Sequence, residues 1–161
     1  MTDTSTDWRS GRSLALLFFF LVLVIGVGSL IGIVTAPAEW YAGLNKPPFN
    51  PPSWLFAPVW FVLYVFIAIA GWRTFRRAPT GPAMWLWGGQ MVLNWLWSPV
   101  FFVLHWLWPA FAVIFILLIL IVAFITVSRR QGDRASAWLF APYAAWVGFA
   151  SVLNFSIAFL N

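Results

Sequence analysis

The feature that most constrains the fold is a set of apolar runs, each about as long as a helix that crosses a bilayer. The hydrocarbon core is about 30 Å thick and needs about 20 apolar residues per spanning helix. Five runs meet this requirement without any Asp, Glu, Lys or Arg: residues 14–34, 54–72, 84–104, 107–127 and 137–160. Membrane β-strands alternate in polarity over about ten residues, whereas these runs are apolar throughout. The sequence therefore predicts an all-α integral membrane protein, a single domain (residues 1–161) with five transmembrane helices.

Composition supports this fold class and excludes several others. Of the 161 residues, 63% are hydrophobic and 8% are charged, whereas an average soluble domain has about 25% charged residues. A soluble enzyme, a disordered chain and a nucleic-acid-binding domain are therefore excluded, and no nucleic-acid partner is expected. The sequence contains no cysteine, so it has no disulfide and no thiolate metal ligand. No metal site is predicted.

The first run must be compared with a signal peptide, because Ala36-Pro37-Ala38 resembles a small-residue cleavage site. The apolar region of a signal peptide has only about 7–15 residues. Residues 14–34 exceed that length, and we interpret them as an uncleaved first span.

The basic residues predict the orientation of the chain. With five spans, the N-terminal tail and the second and fourth loops lie on one side. That side receives Arg9, Arg12, Arg73, Arg76, Arg77, Arg129, Arg130 and Arg134, and the other side receives only Lys46. Because basic residues concentrate on the cytoplasmic side, we expect a cytoplasmic N-terminus and an external C-terminus. The inner, cytoplasmic membrane of a bacterium is the expected location.

The connection at residues 35–53, here called the first loop, is the one long loop between the predicted spans. Five prolines interrupt any helix there, and Trp40, Tyr41 and Phe49 make it aromatic. A stiff aromatic segment on the outward side is typical of a lid over a site. It is equally typical of an interfacial aromatic belt, and composition leaves both open.

The polar residues of the runs recur at helical spacing. Gln90, Asn94, Ser98 and Phe101 share one face of the third run, next to Pro99, which should kink that helix. Carboxamides that faced lipid would leave their hydrogen-bonding groups unsatisfied, so these faces should point inward. They serve either as helix–helix hydrogen bonds or as the sparse polar groups of an aromatic pocket for a flat, apolar ligand.

Two further features each allow two interpretations. Gly28-Ser29-Leu30-Ile31-Gly32 is a GxxxG motif, which packs helices either within the bundle or between protomers. His105 lies at a helix end, where an interfacial histidine is favoured over an axial ligand to a haem-like iron. The runs lack ionisable residues, which disfavours an ion-coupled transporter or proton pump.

Several segments together resemble one known family. They are WYAGLNKP (residues 40–47), NPPSW (50–54), APVW (57–60), LNWLWSPVFF (93–102), and PYAAW (142–146) followed by ASVLN (150–154). Their order and content are similar to those of the tryptophan-rich sensory protein and translocator protein family, TspO/MBR, also called peripheral benzodiazepine receptors. The resemblance covers about residues 36–156.

The resemblance implies a five-helix bundle, commonly a homodimer in membrane lipid, with a ligand cavity under the first loop. It implies a receptor, sensor or carrier that binds porphyrins such as protoporphyrin IX and haem, or other apolar small molecules, and needs no obligatory cofactor. The matching ligand-contacting positions are Tyr41, Trp60, Asn94, Trp97, Trp146 and Ala150.

Two alternative functions accompany the resemblance. One is a light-dependent porphyrin-degrading enzyme that uses Trp60 and Trp146, and the other is a porphyrin or lipid transporter. Animal members carry a cholesterol motif with Tyr and a basic residue after the last span. Residues 154–161 contain neither residue type, so tight sterol recognition is not expected. Pro109 stands where some relatives have a pocket tryptophan.

Overall fold

Six helices account for most of the chain in the computed structural model, which describes residues 8, 10–36 and 39–161. The helices are α1 (Gly11–Val34), α2 (Glu39–Gly43), α3 (Ser53–Arg77), α4 (Pro82–Ser98), α5 (Leu107–Arg130) and α6 (Arg134–Leu160). No strand occurs in these described ranges. The all-α prediction is confirmed. Arg9 of the N-terminal tail and Pro37 and Ala38 of the first loop lie outside the described residues.

Four helices of the described chain, α1, α3, α5 and α6, are long and apolar enough to cross a membrane. The integral membrane prediction is therefore confirmed at this level. The remaining predicted run, residues 84–104, lies on α4 and on the π-helical segment Pro99–Val103 that continues it. Gln90 and Asn94 fall within this stretch, and polar side chains lower the hydropathy of a helix. Length and composition of the described helices thus identify four spans, and the predicted count of five is not confirmed.

The π-helical segment after α4 begins at Pro99. Proline has no backbone N–H, so it cannot continue the ladder of α-helical hydrogen bonds. The backbone N–H of Leu104 instead reaches the Pro99 carbonyl five residues earlier, at 3.0 Å. The wider turn places Val100 and Phe101 among buried side chains.

Two glycines permit close contacts between helices. Gly71 of α3 lies against the indole of Trp87, whose Nε1–H donates to the Ile67 carbonyl at 2.9 Å. Gly28 of α1 lies against the ring of Tyr64. A Cβ atom at either glycine would overlap the neighbouring ring. At Gly28, the GxxxG motif therefore packs within the chain.

The connection between α5 and α6 carries a buried carboxylate. Asp133 Oδ1 accepts from Arg73 Nη2 at 2.9 Å, and Asp133 Oδ2 accepts from the Ser136 hydroxyl at 2.6 Å. Burial by itself would raise the pKa of Asp133. The hydrogen bonds from Ser136 and Arg73, and the positive charge of Arg73, outweigh burial and lower that pKa. The ion pair thus joins the end of α3 to the start of α6.

The first loop packs onto the opposite end of the bundle. The Tyr41 hydroxyl donates to Asn50 Oδ1 at 3.0 Å, which closes the loop on itself. The backbone N–H of Asn45 donates to Asn161 Oδ1, and Asn161 Nδ2 donates to the Asn45 carbonyl, both at 2.9 Å. These paired bonds hold the loop against the end of α6.

His105 secures the other side of the same loop. Its ring stacks on Trp40, with 3.9 Å between centroids and 18° between planes. The backbone of His105 has φ of 58°, a conformation that histidine adopts more readily than bulky residues. The ring of His105 therefore faces an indole of the first loop.

Substitution of Asp133 by Asn should make the stability of the protein less sensitive to low pH. The lowered pKa stabilises the wild-type fold above about pH 4, the unfolded value, and this stabilisation is lost as pH falls through the folded value. Asp133→Asn should lose about 1–3 kcal/mol at pH 7, because Arg73 loses its partner. Unfolding of the detergent-solubilised protein from pH 7 to pH 3 measures both effects. An equal acid-induced loss in the variant would contradict the assignment.

Candidate functional site

A cavity of about 650 Å³ lies between α1, α3, α4 and α6, under the first loop. Its walls are mostly aromatic and aliphatic. All six residues that the sequence predicted as ligand contacts line it: Tyr41, Trp60, Asn94, Trp97, Trp146 and Ala150. The tertiary structure therefore brings together one loop and three separate helices at the predicted positions.

The indoles of the cavity are held by other rings. The ring centroids of Trp60 and Tyr64 lie 5.3 Å apart. Trp97 stacks on Phe101 with 5.3 Å between centroids and 28° between planes. Trp146 meets Phe56 edge to face at 5.8 Å. Aromatic pairs at these distances are attractive, so the flat walls keep fixed orientations.

A buried network of hydroxyl and carboxamide groups runs from the cavity wall into the core. Asn94 Nδ2 donates to the Tyr143 hydroxyl at 2.8 Å, and that hydroxyl donates to Gln90 Oε1 at 2.9 Å. Tyr64, at the cavity wall, donates more weakly to Asn94 Oδ1 at 3.4 Å. Tyr143 and Gln90 are fully buried. The network connects α3, α4 and α6.

A second set of polar contacts lies nearer the first loop. Trp97 Nε1 donates to Asn154 Oδ1 at 3.0 Å, and Asn154 Nδ2 donates to the Leu107 carbonyl at 3.0 Å. The hydroxyls of Thr35 and Ser98 lie 2.5 Å apart. The helix–helix interpretation of the inward polar faces is therefore confirmed for Asn94 and Asn154. Both residues also line the cavity, and their role as the polar groups of a ligand pocket stays a prediction.

The contribution of α1 to the cavity was not predicted. Gly28, Ser29, Gly32 and Thr35 form much of that wall. The GxxxG motif lies on this wall, but its sequence pattern predicts only helix packing. An added Cβ at Gly32 would meet no atom within 4 Å, so this glycine faces open space rather than a helix.

The chemistry of the lining is neutral. None of the described lining residues carries a formal charge, and their polar atoms belong to hydroxyl, indole and carboxamide groups. Burial raises the pKa of Tyr41, so its phenol is a neutral donor at physiological pH. Within the described chain, no group of three or more His, Cys, Asp or Glu residues could hold a metal ion. The site can stack, enclose and hydrogen-bond a ligand.

Comparison with known proteins decides the family. The sequence model of the TspO/MBR family matches residues 19–160. The chain belongs to the TspO/MBR family. The resemblance stated from the sequence motifs is confirmed.

Bacterial and animal members of the TspO/MBR family are similar to this chain over most of its length. The tryptophan-rich sensory protein of Cereibacter sphaeroides is 34% identical over 145 residues, which is 90% of this chain and 91% of that protein. Protein CrtK of Rhodobacter capsulatus is 36% identical over 153 residues, covering 92% and 94%. The translocator protein of Ovis aries is 36% identical over 145 residues, covering 83% of each chain. This chain is thus a membrane protein of a sensory and translocator family.

Removal of the Tyr143 hydroxyl should destabilise the bundle more than removal of the Tyr64 hydroxyl. Tyr143→Phe leaves Gln90 Oε1 and Asn94 Nδ2 without partners and should cost about 1–3 kcal/mol. Tyr64→Phe removes a longer bond at the cavity wall and should cost about 0.5 kcal/mol. Unfolding of both variants in the same detergent measures the difference. Equal losses would mean that the buried network does not hold the helices together.

Proposed function

We propose that this protein is a membrane receptor, sensor or carrier that binds porphyrins, such as protoporphyrin IX and haem, and related flat apolar ligands. The supporting observation is the cavity of about 650 Å³ whose walls include the indoles of Trp60, Trp97 and Trp146. Ligand sites usually have volumes of about 300–1,000 Å³, apolar walls and few polar groups. Aromatic faces attract other flat π-systems, and a planar macrocycle offers two such faces.

In the proposed arrangement, α4 and the π-helical segment that follows it also cross the membrane. They form the third of five spans in chain order. This span makes the bundle close around the cavity, since Asn94, Trp97 and Ser98 line it from α4. The eight arginines then face the cytoplasm and Lys46 faces outward, as the distribution of basic residues predicts. We place the protein in a bacterial inner membrane, which the helical spans and the bias of basic residues support. We propose a homodimer, for which the family resemblance is the support.

Replacement of Trp60 or Trp146 by Ala should weaken porphyrin binding. Each change removes one aromatic wall of the cavity and should raise the Kd for protoporphyrin IX about five- to twentyfold. Titration of the protein in nanodiscs, followed by the absorption band of the porphyrin, measures the Kd.

Trp138→Ala is the matched control, because Trp138 lies on α6 like Trp146 but is 72% exposed and outside the cavity. Its Kd should equal that of the wild type. If the Kd values of Trp60→Ala and Trp146→Ala also equalled that of the wild type, the cavity would not be the porphyrin site.

Light-dependent degradation of porphyrin is the second candidate function. Trp60 supports this function, because its indole lies at the cavity wall near two phenol rings. The ring centroids of Trp60 and Tyr64 are 5.3 Å apart, and those of Trp60 and Tyr143 are 6.3 Å apart. Indole and phenol are the most readily oxidised rings in this site, so they can take part in photochemistry without an acid–base pair.

Illumination of the protoporphyrin IX complex in air should bleach the porphyrin absorption band faster than illumination of the same porphyrin in empty nanodiscs. Trp60→Phe and Trp146→Phe should slow this bleaching, since phenylalanine is harder to oxidise than tryptophan. Rates are compared at equal porphyrin occupancy. Rates that equal those of empty nanodiscs would dismiss an enzymatic role and leave the binding role intact.

A further inference from the structure

The neutral lining of the cavity conflicts with the charge of the proposed ligand. Protoporphyrin IX and haem each carry two propionate side chains, which are anionic at neutral pH. A carboxylate that is buried without a partner loses its hydration at a large free-energy cost. The carboxylates must therefore lie where the cavity ends, and the following inference about their position rests on the proposed function.

Two boundaries of the cavity are unsuitable for a carboxylate. Deeper in the bundle, the network of Tyr143, Asn94 and Gln90 is buried and carries no positive charge. At the side, the exposed lining residues Ile33 and Phe61 face lipid in the proposed arrangement. Acyl chains cannot solvate a charge.

The remaining boundary is the first loop, and Lys46 lies there. It is the only basic residue between Arg12 and Arg73 in the sequence. Its Nζ lies 4.8 Å from the centroid of the Tyr41 ring, and Tyr41 is a wall of the cavity. The arginines Arg73 and Arg77 contact Asp133 at the opposite end of the bundle.

The ammonium group of Lys46 retains capacity for a ligand. It donates to the carbonyls of Ala42 and Leu44, both at 3.1 Å, and an ammonium has three N–H donors. The four-carbon stem can also turn the group toward an anion. Besides the Tyr41 phenol, the other ionisable side chains that the structure describes at this end include Glu39, which is exposed on α2, and His105, which stacks on Trp40.

We propose that Lys46 is a specificity-determining residue that pairs with a carboxylate of the ligand at the boundary between the cavity and the first loop. The tetrapyrrole then lies with its acidic edge toward the loop and its apolar edge toward Gly28 and Gly32. The cavity thereby selects flat ligands with an acidic edge over neutral ones of the same shape.

A cycle of two ligands and two proteins tests this proposal. Protoporphyrin IX and its dimethyl ester have the same ring, but the ester has no carboxylate. Binding of each is measured with the full-length wild type and with Lys46→Gln, which keeps a side-chain donor but not the charge. Both proteins are used in nanodiscs of uncharged lipid, and empty nanodiscs correct for partition of the porphyrin into lipid.

Lys46→Gln should weaken binding of the acid about five- to tenfold and leave binding of the ester unchanged. Raising the salt concentration should weaken binding of the acid in the wild type more than in the variant. Lys46→Arg keeps the charge and should retain most of the preference for the acid over the ester. Arg130→Gln, a change at the exposed opposite end, should behave as the wild type.

An unchanged ratio of acid to ester affinity in Lys46→Gln would overturn the proposal. Equal weakening of both ligands would also overturn it, since Lys46 would then act only by shaping the loop. If the wild type binds neither porphyrin, the proposed function itself fails. If the wild type binds both ligands and Lys46→Gln keeps the same ratio, only the role of Lys46 fails.

Discussion

The structure depends on the hydrogen bonds that satisfy polar side chains inside an apolar bundle. A bilayer offers no water to a carboxamide or phenol. Asn94 and Gln90 therefore meet on the single hydroxyl of Tyr143, which accepts from one and donates to the other. This requirement draws α4 and α6 together at a defined rotation. The same rotation places Asn94 and Trp97 on the cavity.

The cavity persists because rigid rings and small residues surround it. Trp60, Trp97 and Trp146 each contact another aromatic ring, so none can turn freely into the space. On α1, Gly32 offers no side chain to fill it. The first loop closes the end through paired hydrogen bonds between Asn45 and Asn161. A neutral aromatic cavity results, and Lys46 is the cation that the described residues place in the loop above it.

Much of the fold and the candidate site could be predicted from local sequence. Charge-free runs locate the long helices, because length and hydropathy are local properties. Helical spacing correctly placed Asn94 on an inward face, and the family resemblance pointed to Trp60 and Trp146, which line the same cavity. The wall formed by α1 was missed, because a GxxxG motif looks the same whether its glycines contact a helix or border a void. Gly28 contacts Tyr64, whereas Gly32 lies open, and only the positions of the neighbouring helices distinguish them.

The sequence by itself determined the all-α membrane class, the family, the bias of basic residues toward one side, and the faces that carry polar and aromatic groups. The family follows from the sequence motifs, and the other properties follow from composition and periodicity along the chain. Only the tertiary structure decided which faces meet, that the first loop packs over the bundle, and that a space of about 650 Å³ remains between the helices. The volume of a cavity depends on how side chains from distant segments pack against one another. No local sequence pattern encodes the distances between those segments.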